Sequence, residues 1–152
     1  MRQLFVLRLD HQRYALRLPD VERVLRMVEI TALPEPPPGV LGVINVQGRV
    51  LTVIDLRHCL HLPAREVEPE DVLILVSAAG AMLALAADGV EGVTDWPEEG
   101  IIPVQEIRAP SPYLEGVAKL ADGLVLIFDL GRLLRPATTV IPSAPAGGDS
   151  AG

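Results

Sequence analysis

The chain has 152 residues and a mass of 16.3 kDa, the length of one ordinary domain, and can bury a core without disulfides or metal. Twelve arginines and one lysine face 20 acidic residues, and the net charge of −7 argues against bulk electrostatic binding of nucleic acid. A single cysteine, Cys59, excludes an internal disulfide framework, and an apolar fraction of 49% excludes a disordered chain.

Arg8 and Asp10 interrupt the first apolar run too early for a signal peptide, so a cytoplasmic chain is expected. Leu4–Leu9 and Tyr14–Leu18 alternate around Asp10-His11-Gln12-Arg13 and predict a β-hairpin. Val21, Val24 and Leu25 follow Asp20 at i, i+3, i+4 spacing, which predicts a short helix capped by Asp20. Four prolines between positions 34 and 38 forbid regular structure. Val40 to Leu56 reads as two strands broken at Gln47-Gly48, and Asp55 then caps a short helix carrying Leu56, Cys59 and Leu60. Residues 63–71 form an acidic connector. Val72 to Ala87 contains no charge, but it is too short to span a bilayer and reads as two buried strands joined at Ser77-Ala78-Ala79-Gly80.

The second half repeats the first. Gly42 to Leu56 has a gap-free counterpart in Gly116 to Leu130, 74 residues later. Upstream, Val21-Glu22-Arg23-Val24 matches Val90-Glu91-Gly92-Val93, and Leu16 matches Leu85, at an offset of 69. Two β units are therefore expected, roughly 1–65 and 66–136, each with a marginal core of its own and packed on the other across an apolar seam; strand exchange between them is allowed. Residues 137–152 read as a disordered low-complexity tail. The halves differ in charge. Nine basic and six acidic side chains give residues 1–65 a balance of +3, while four and 14 give residues 66–152 a balance of −10.

No catalytic constellation emerges. Asp55 and Asp129 are repeat-related carboxylates that could share a proton, but Leu-Arg and Leu-Gly follow them, and helix capping explains both. His58-Cys59-Leu60-His61 lacks a second ligand pair, since the only other histidine is His11, so no metal or other cofactor is expected. Walker, dinucleotide-binding and nucleophile-elbow motifs are missing, and five aromatics are too few for a stacking platform. Elimination leaves a binding module. A remote hydrolase using Asp55 and Asp129, and a ligand sensor with a pocket at the seam, stand as alternatives.

The same residues resemble the CheW family of chemosensory coupling proteins. Leu33-Pro34 through Arg57 is similar to that family's central signature, and Tyr14-Ala15-Leu16 with Val21-Glu22-Arg23-Val24 to its N-terminal strand and first short helix. Pro110 to Leu134 resembles the matching second half, so the likeness runs from residue 4 to about 134. It implies two five-stranded SH3-like β-barrels packed about an apolar seam. It also implies a stand-alone, non-catalytic adaptor between the cytoplasmic tip of methyl-accepting receptors and the regulatory domain of a CheA-type histidine kinase. Such a chain needs no cofactor, binds no nucleic acid, and meets the membrane only through its partners. A coupler for type IV pilus motility or another alternative pathway would share the fold.

Carried over residue by residue, the resemblance places Val21, Asn45, Gln47 and Gly48 on the receptor side, with Arg49 a substitute charge nearby, and Arg23 and Val24 toward the kinase. Burial on a helix face accounts equally well for Val21 and Val24, and turn geometry for Asn45 and Gly48. Three positions depart from the family pattern: Gln47 stands where arginine is usual, Arg23 where glutamate is common, and Thr52 where proline is common. Charges of this kind set partner choice more than affinity.

Overall fold

The computed structural model describes residues 1–78, 80–107 and 112–134. The polar tail expected at 137–152 lies outside the described residues.

The first hairpin forms as its alternation predicts, from β1 (Arg2–Leu9) and β2 (Gln12–Arg17). The next segment overturns the expected helix. Leu18–Asp20 is a 3-10 turn in which Asp20 caps nothing, and Val21–Arg26 is a strand, β3. Its helix-like spacing comes from a bulge: the register shifts between Val21 and Arg23, so Val21 turns toward one apolar cluster and Leu25 toward another. A five-residue helix would have faced the full nucleation cost with little to bury, whereas the strand completes a ladder.

After the proline segment come β4 (Val40–Val46), β5 (Arg49–Asp55) and the short helix α1 (Leu56–Cys59). The uncharged run is the hairpin β6 (Val72–Ala78) and β7 (Ala81–Ala87). There follow β8 (Gly89–Trp96), β9 (Ile101–Pro103), β10 (Leu114–Leu120), β11 (Gly123–Phe128) and a helical turn at 130–134.

Each sheet draws strands from both repeats. One runs β8-β1-β2-β11-β10-β9 and the other β3-β6-β7-β5-β4. The parallel contacts at their centres are repeat-equivalent, with Ile127 opposite Ala15 in one sheet and Val53 opposite Ala84 in the other. The bulges correspond too. Glu22 and Glu91 are the extra residues on β3 and β8, and Leu41 and Glu115 those on β4 and β10. Beside the latter pair, a Cβ on Gly42 would lie 2.3 Å from the Thr31 carbonyl oxygen and one on Gly116 would lie 2.7 Å from that of Ile102. The repeated glycine is thus what lets an edge segment cross the bulge.

The sheets curl into two packed five-stranded barrels, one of them extended by β9. Ile44, Leu51, Val53, Leu73 and Leu75 fill one interior, and Leu4, Val6, Val125 and Ile127 the other. The largest cluster lies between them, where Phe5, Leu7 and Leu16 meet Ile54, Ile74 and Leu85. The strands β1 and β6 are therefore buried on both faces, which is why they read as apolar runs rather than clean alternations. Tyr14 and Phe128 stack in this seam with centroids 5.0 Å apart. Fully burying each of its leucines and isoleucines contributes about 1.5–3 kcal/mol, so the seam holds much of the fold's stability.

Candidate functional site

Val46 and Arg49 pair at the end of the β4–β5 ladder, leaving Gln47 and Gly48 as a two-residue turn. Their φ values of 52° and 87° are both in the left-handed region, as the tightest hairpin turns require. Gly48 accommodates this freely, while a glutamine there stores strain of about 1 kcal/mol. Asn45 contributes its side chain, since Oδ1 accepts a hydrogen bond from the Gly48 amide at 2.8 Å. Turn geometry thus accounts for Asn45 and Gly48, with the positive φ falling on Gln47 rather than on Asn45.

A cleft of about 200 Å³ opens beside this turn. Val46, Leu51, Leu75 and Met82 supply its apolar wall, and Glu22, Arg23, Gln47 and Arg49 its polar rim. The bulge on β3 brings Arg23 here, next to a turn more than 20 residues later in the chain. Arg49 extends over Met82, with Nη1 3.7 Å from the sulfur. Glu22 accepts a hydrogen bond from the Ser77 hydroxyl at 2.9 Å. Arg23, Gln47 and Arg49 therefore surround one cavity. Val21 is half-buried against the seam cluster, and Val24 lies exposed on β3 outside the cleft lining.

The residues weighed for chemistry have structural work. Asp55 Oδ1 accepts the Arg57 amide at 3.0 Å, and Asp129 Oδ1 accepts the Arg132 amide at 3.2 Å. The repeat reaches even their own amides, which donate to Gly39 and Tyr113 carbonyls at 2.8 Å. Cys59 packs against the seam, and burial, with a smaller contribution from Asp55, pushes its thiol up to about 11. That is the opposite of what a nucleophile needs. His58 is exposed, and no group of three metal-ligating side chains occurs among the described residues.

One cluster is barely legible in the linear sequence. Arg57, only 7% exposed, donates to Asp10 at 2.6 Å and to Asp88 at 2.7 Å. Arg65 of the connector reaches Asp71 at 3.0 Å and also Asp88, whose Oδ2 accepts the Asp10 amide as well. The repeat has no second copy of this network, so periodicity could not reveal it; Arg57 following the Asp55 cap was the only hint.

No described helix is long and apolar enough to cross a membrane. The family model for the CheW-like domain matches residues 3–137. The probable chemotaxis protein CheW of Rhizobium etli is 25% identical over 134 residues, covering 87% of this chain and 86% of that one. Chemotaxis protein CheW of Bacillus subtilis is 26% identical over 134 residues, with the same coverage of 87% and 86%. The crystal structure of the scaffolding protein TtCheW from Thermoanaerobacter tengcongensis superposes with a TM-score of 0.79 at 30% identity, over 88% of this chain and 92% of that one. A repeat of two exchanged barrels, a glycine turn beside an open cleft and a family match over residues 3–137 agree: the chain belongs to the CheW-like domain family, the non-catalytic coupling adaptors of chemotaxis signalling.

Proposed function

We propose that this adaptor ties the cytoplasmic tip of a chemoreceptor to the regulatory domain of a CheA-type histidine kinase, and so sits in the cytoplasm within receptor arrays. The observation that carries this reading is the Asn45-to-Arg49 turn beside an open cleft, at the position of the family's Asn-x-Arg-Gly turn. In this reading Val21, Asn45, Gln47, Gly48 and Arg49 face the receptor, and Arg23 and Val24 the kinase. Because Arg23 shares a cavity with Gln47 and Arg49, the two partners meet along adjoining surfaces rather than at opposite ends of the molecule. The relatives are named for chemotaxis, which does not favour the pilus pathway as the alternative.

Co-sedimentation with receptor-tip assemblies and kinase tests the proposal. Wild-type chain should bring kinase into the receptor pellet, and Gln47→Ala should weaken this while leaving the folded spectrum intact. A pellet containing neither chain nor kinase overturns the coupling role.

A further inference from the structure

The chain's internal repeat provides a comparison for the cleft. By the offset of 69, Arg13 on β2 is the counterpart of Met82, and Glu91 that of Glu22; by the offset of 74, Gly123 is the counterpart of Arg49. In that barrel Arg13 lies across the equivalent position. Its guanidinium pairs with Asp122 at 2.8 Å and with Glu91 at 3.8 Å, and passes 3.4 Å from where a Cβ on Gly123 would stand. The other barrel has Met82 instead, and its cleft is open over Leu51 and Leu75.

The arginines of the two sheets divide the same way. Arg2, Arg8, Arg13 and Arg17 of the first hairpin all pair with acidic side chains. Among the described residues, Arg23, Arg26 and Arg49 have no ion pair, and β6 and β7 contribute no charged residue to their sheet. Two of these unpaired cations rim the apolar cavity, whose volume is that of one large side chain, and they outnumber the one carboxylate on the rim, Glu22, which accepts from the Ser77 hydroxyl.

We infer that this cleft docks an acidic segment of a partner protein, one aliphatic side chain entering over Leu51, Leu75 and Met82 while flanking carboxylates pair with Arg23 and Arg49. The inference deepens the coupling reading and rests on it for the partner's biological role, but its chemistry is independent of that role. An apolar anchor supplies binding energy and the paired cations set which partner is accepted. Basic segments are disfavoured, because the two unpaired arginines outweigh the single Glu22 carboxylate on the rim.

Titration of the isotope-labelled full chain with short synthetic peptides tests this by NMR. The first peptide carries leucine flanked by glutamates, the second leucine flanked by lysines, and the third serine flanked by glutamates. Only the first should shift the Gln47, Gly48 and Arg49 amides and the Met82 methyl. Met82→Arg copies the sister barrel and should weaken that binding about tenfold or more at an unchanged melting temperature. Should that variant fold poorly, the exposed Arg23→Glu/Arg49→Glu pair should instead transfer preference to the lysine peptide. Equal response to all three peptides, or wild-type binding by folded Met82→Arg, overturns the inference. So do concentration-dependent shifts of the same amides without peptide, which would assign the cleft to a second copy. A chain that discriminates the peptides but sediments with neither receptor nor kinase retains the cleft's chemistry and overturns coupling. Full receptor and kinase sedimentation by Met82→Arg does the reverse.

Discussion

Arg57 on α1 meets Asp88 at the β7–β8 junction at 2.7 Å, joining elements 31 residues apart at the place where the chain passes from one barrel to the other. Burial by itself would raise the Asp88 carboxyl, but the Asp10 amide, Arg65 and Arg57 together hold it below the ordinary carboxylate range. A carboxyl lowered in the folded state contributes stability that is complete above its unfolded value, near ~4, and is lost as pH falls through the folded value. Stability should therefore fall more steeply below about pH 4 in the wild type than in Asp88→Asn, as read by urea unfolding across acidic pH. Arg57→Ala, which takes the ion pair from Asp10 and leaves Asp88 to Arg65 and the Asp10 amide, should cost about 2 kcal/mol at neutral pH. Parallel pH profiles for wild type and Asp88→Asn would refute this account of the cluster.

The Gln47 turn separates stability from function. Its φ of 52° is one that asparagine adopts more readily, and Asn-Gly is the preferred pair for such a turn. Gln47→Asn should raise stability by about 0.5 kcal/mol. Asn45→Ala should lower it by about 1 kcal/mol through loss of the bond to the Gly48 amide. Chemical denaturation of both variants checks the signs.

Strand exchange makes a prediction about dissection. A fragment of residues 1–65 would present β1 without β8, β2 without β11, β3 without β6 and β5 without β7. Neither this fragment nor residues 66–136 should show a cooperative thermal transition alone. The full chain should show a single transition, and mixing the fragments should restore dispersed amide resonances. Independent melting of either fragment would mean that the repeat, not the sheet, is the folding unit.

With its thiol at about 11, Cys59 should alkylate roughly two orders of magnitude more slowly than a free cysteine at pH 8. The rate should climb only as pH approaches that value. Rapid labelling at neutral pH in the folded chain would contradict the packing of α1 against the seam.

The accuracy of the sequence reading varied with the range of the forces involved. Hairpins β1–β2, β4–β5 and β6–β7 were legible because alternation and turn chemistry are local, and the Asp55 cap because a cap needs only its next few residues. Residues 21–25 misled because a bulge shifts the alternation and mimics a helical spacing. Arg23, Gln47 and Arg49 were each singled out, but as parts of two surfaces. Nothing short of the β3–β6–β7–β5 ladder says that they border one cavity.

By itself the sequence determined an aliphatic, twice-repeated β chain with its strands, caps and turn glycine in place, and it carried the family signature. Tertiary structure decided which repeat each strand joins. A strand's alternation specifies the face it buries but not the neighbour it pairs with, so β2 beside β11 and β7 beside β5 could not be read from either repeat alone. The same folding assembled Arg57, Asp10, Asp88, Arg65 and Asp71 from four separate segments, and left one cleft open over Met82 where the sister barrel sets Arg13 against Asp122. Charges and cavities of this kind depend on distances across the fold, and those exist only once the seam has closed.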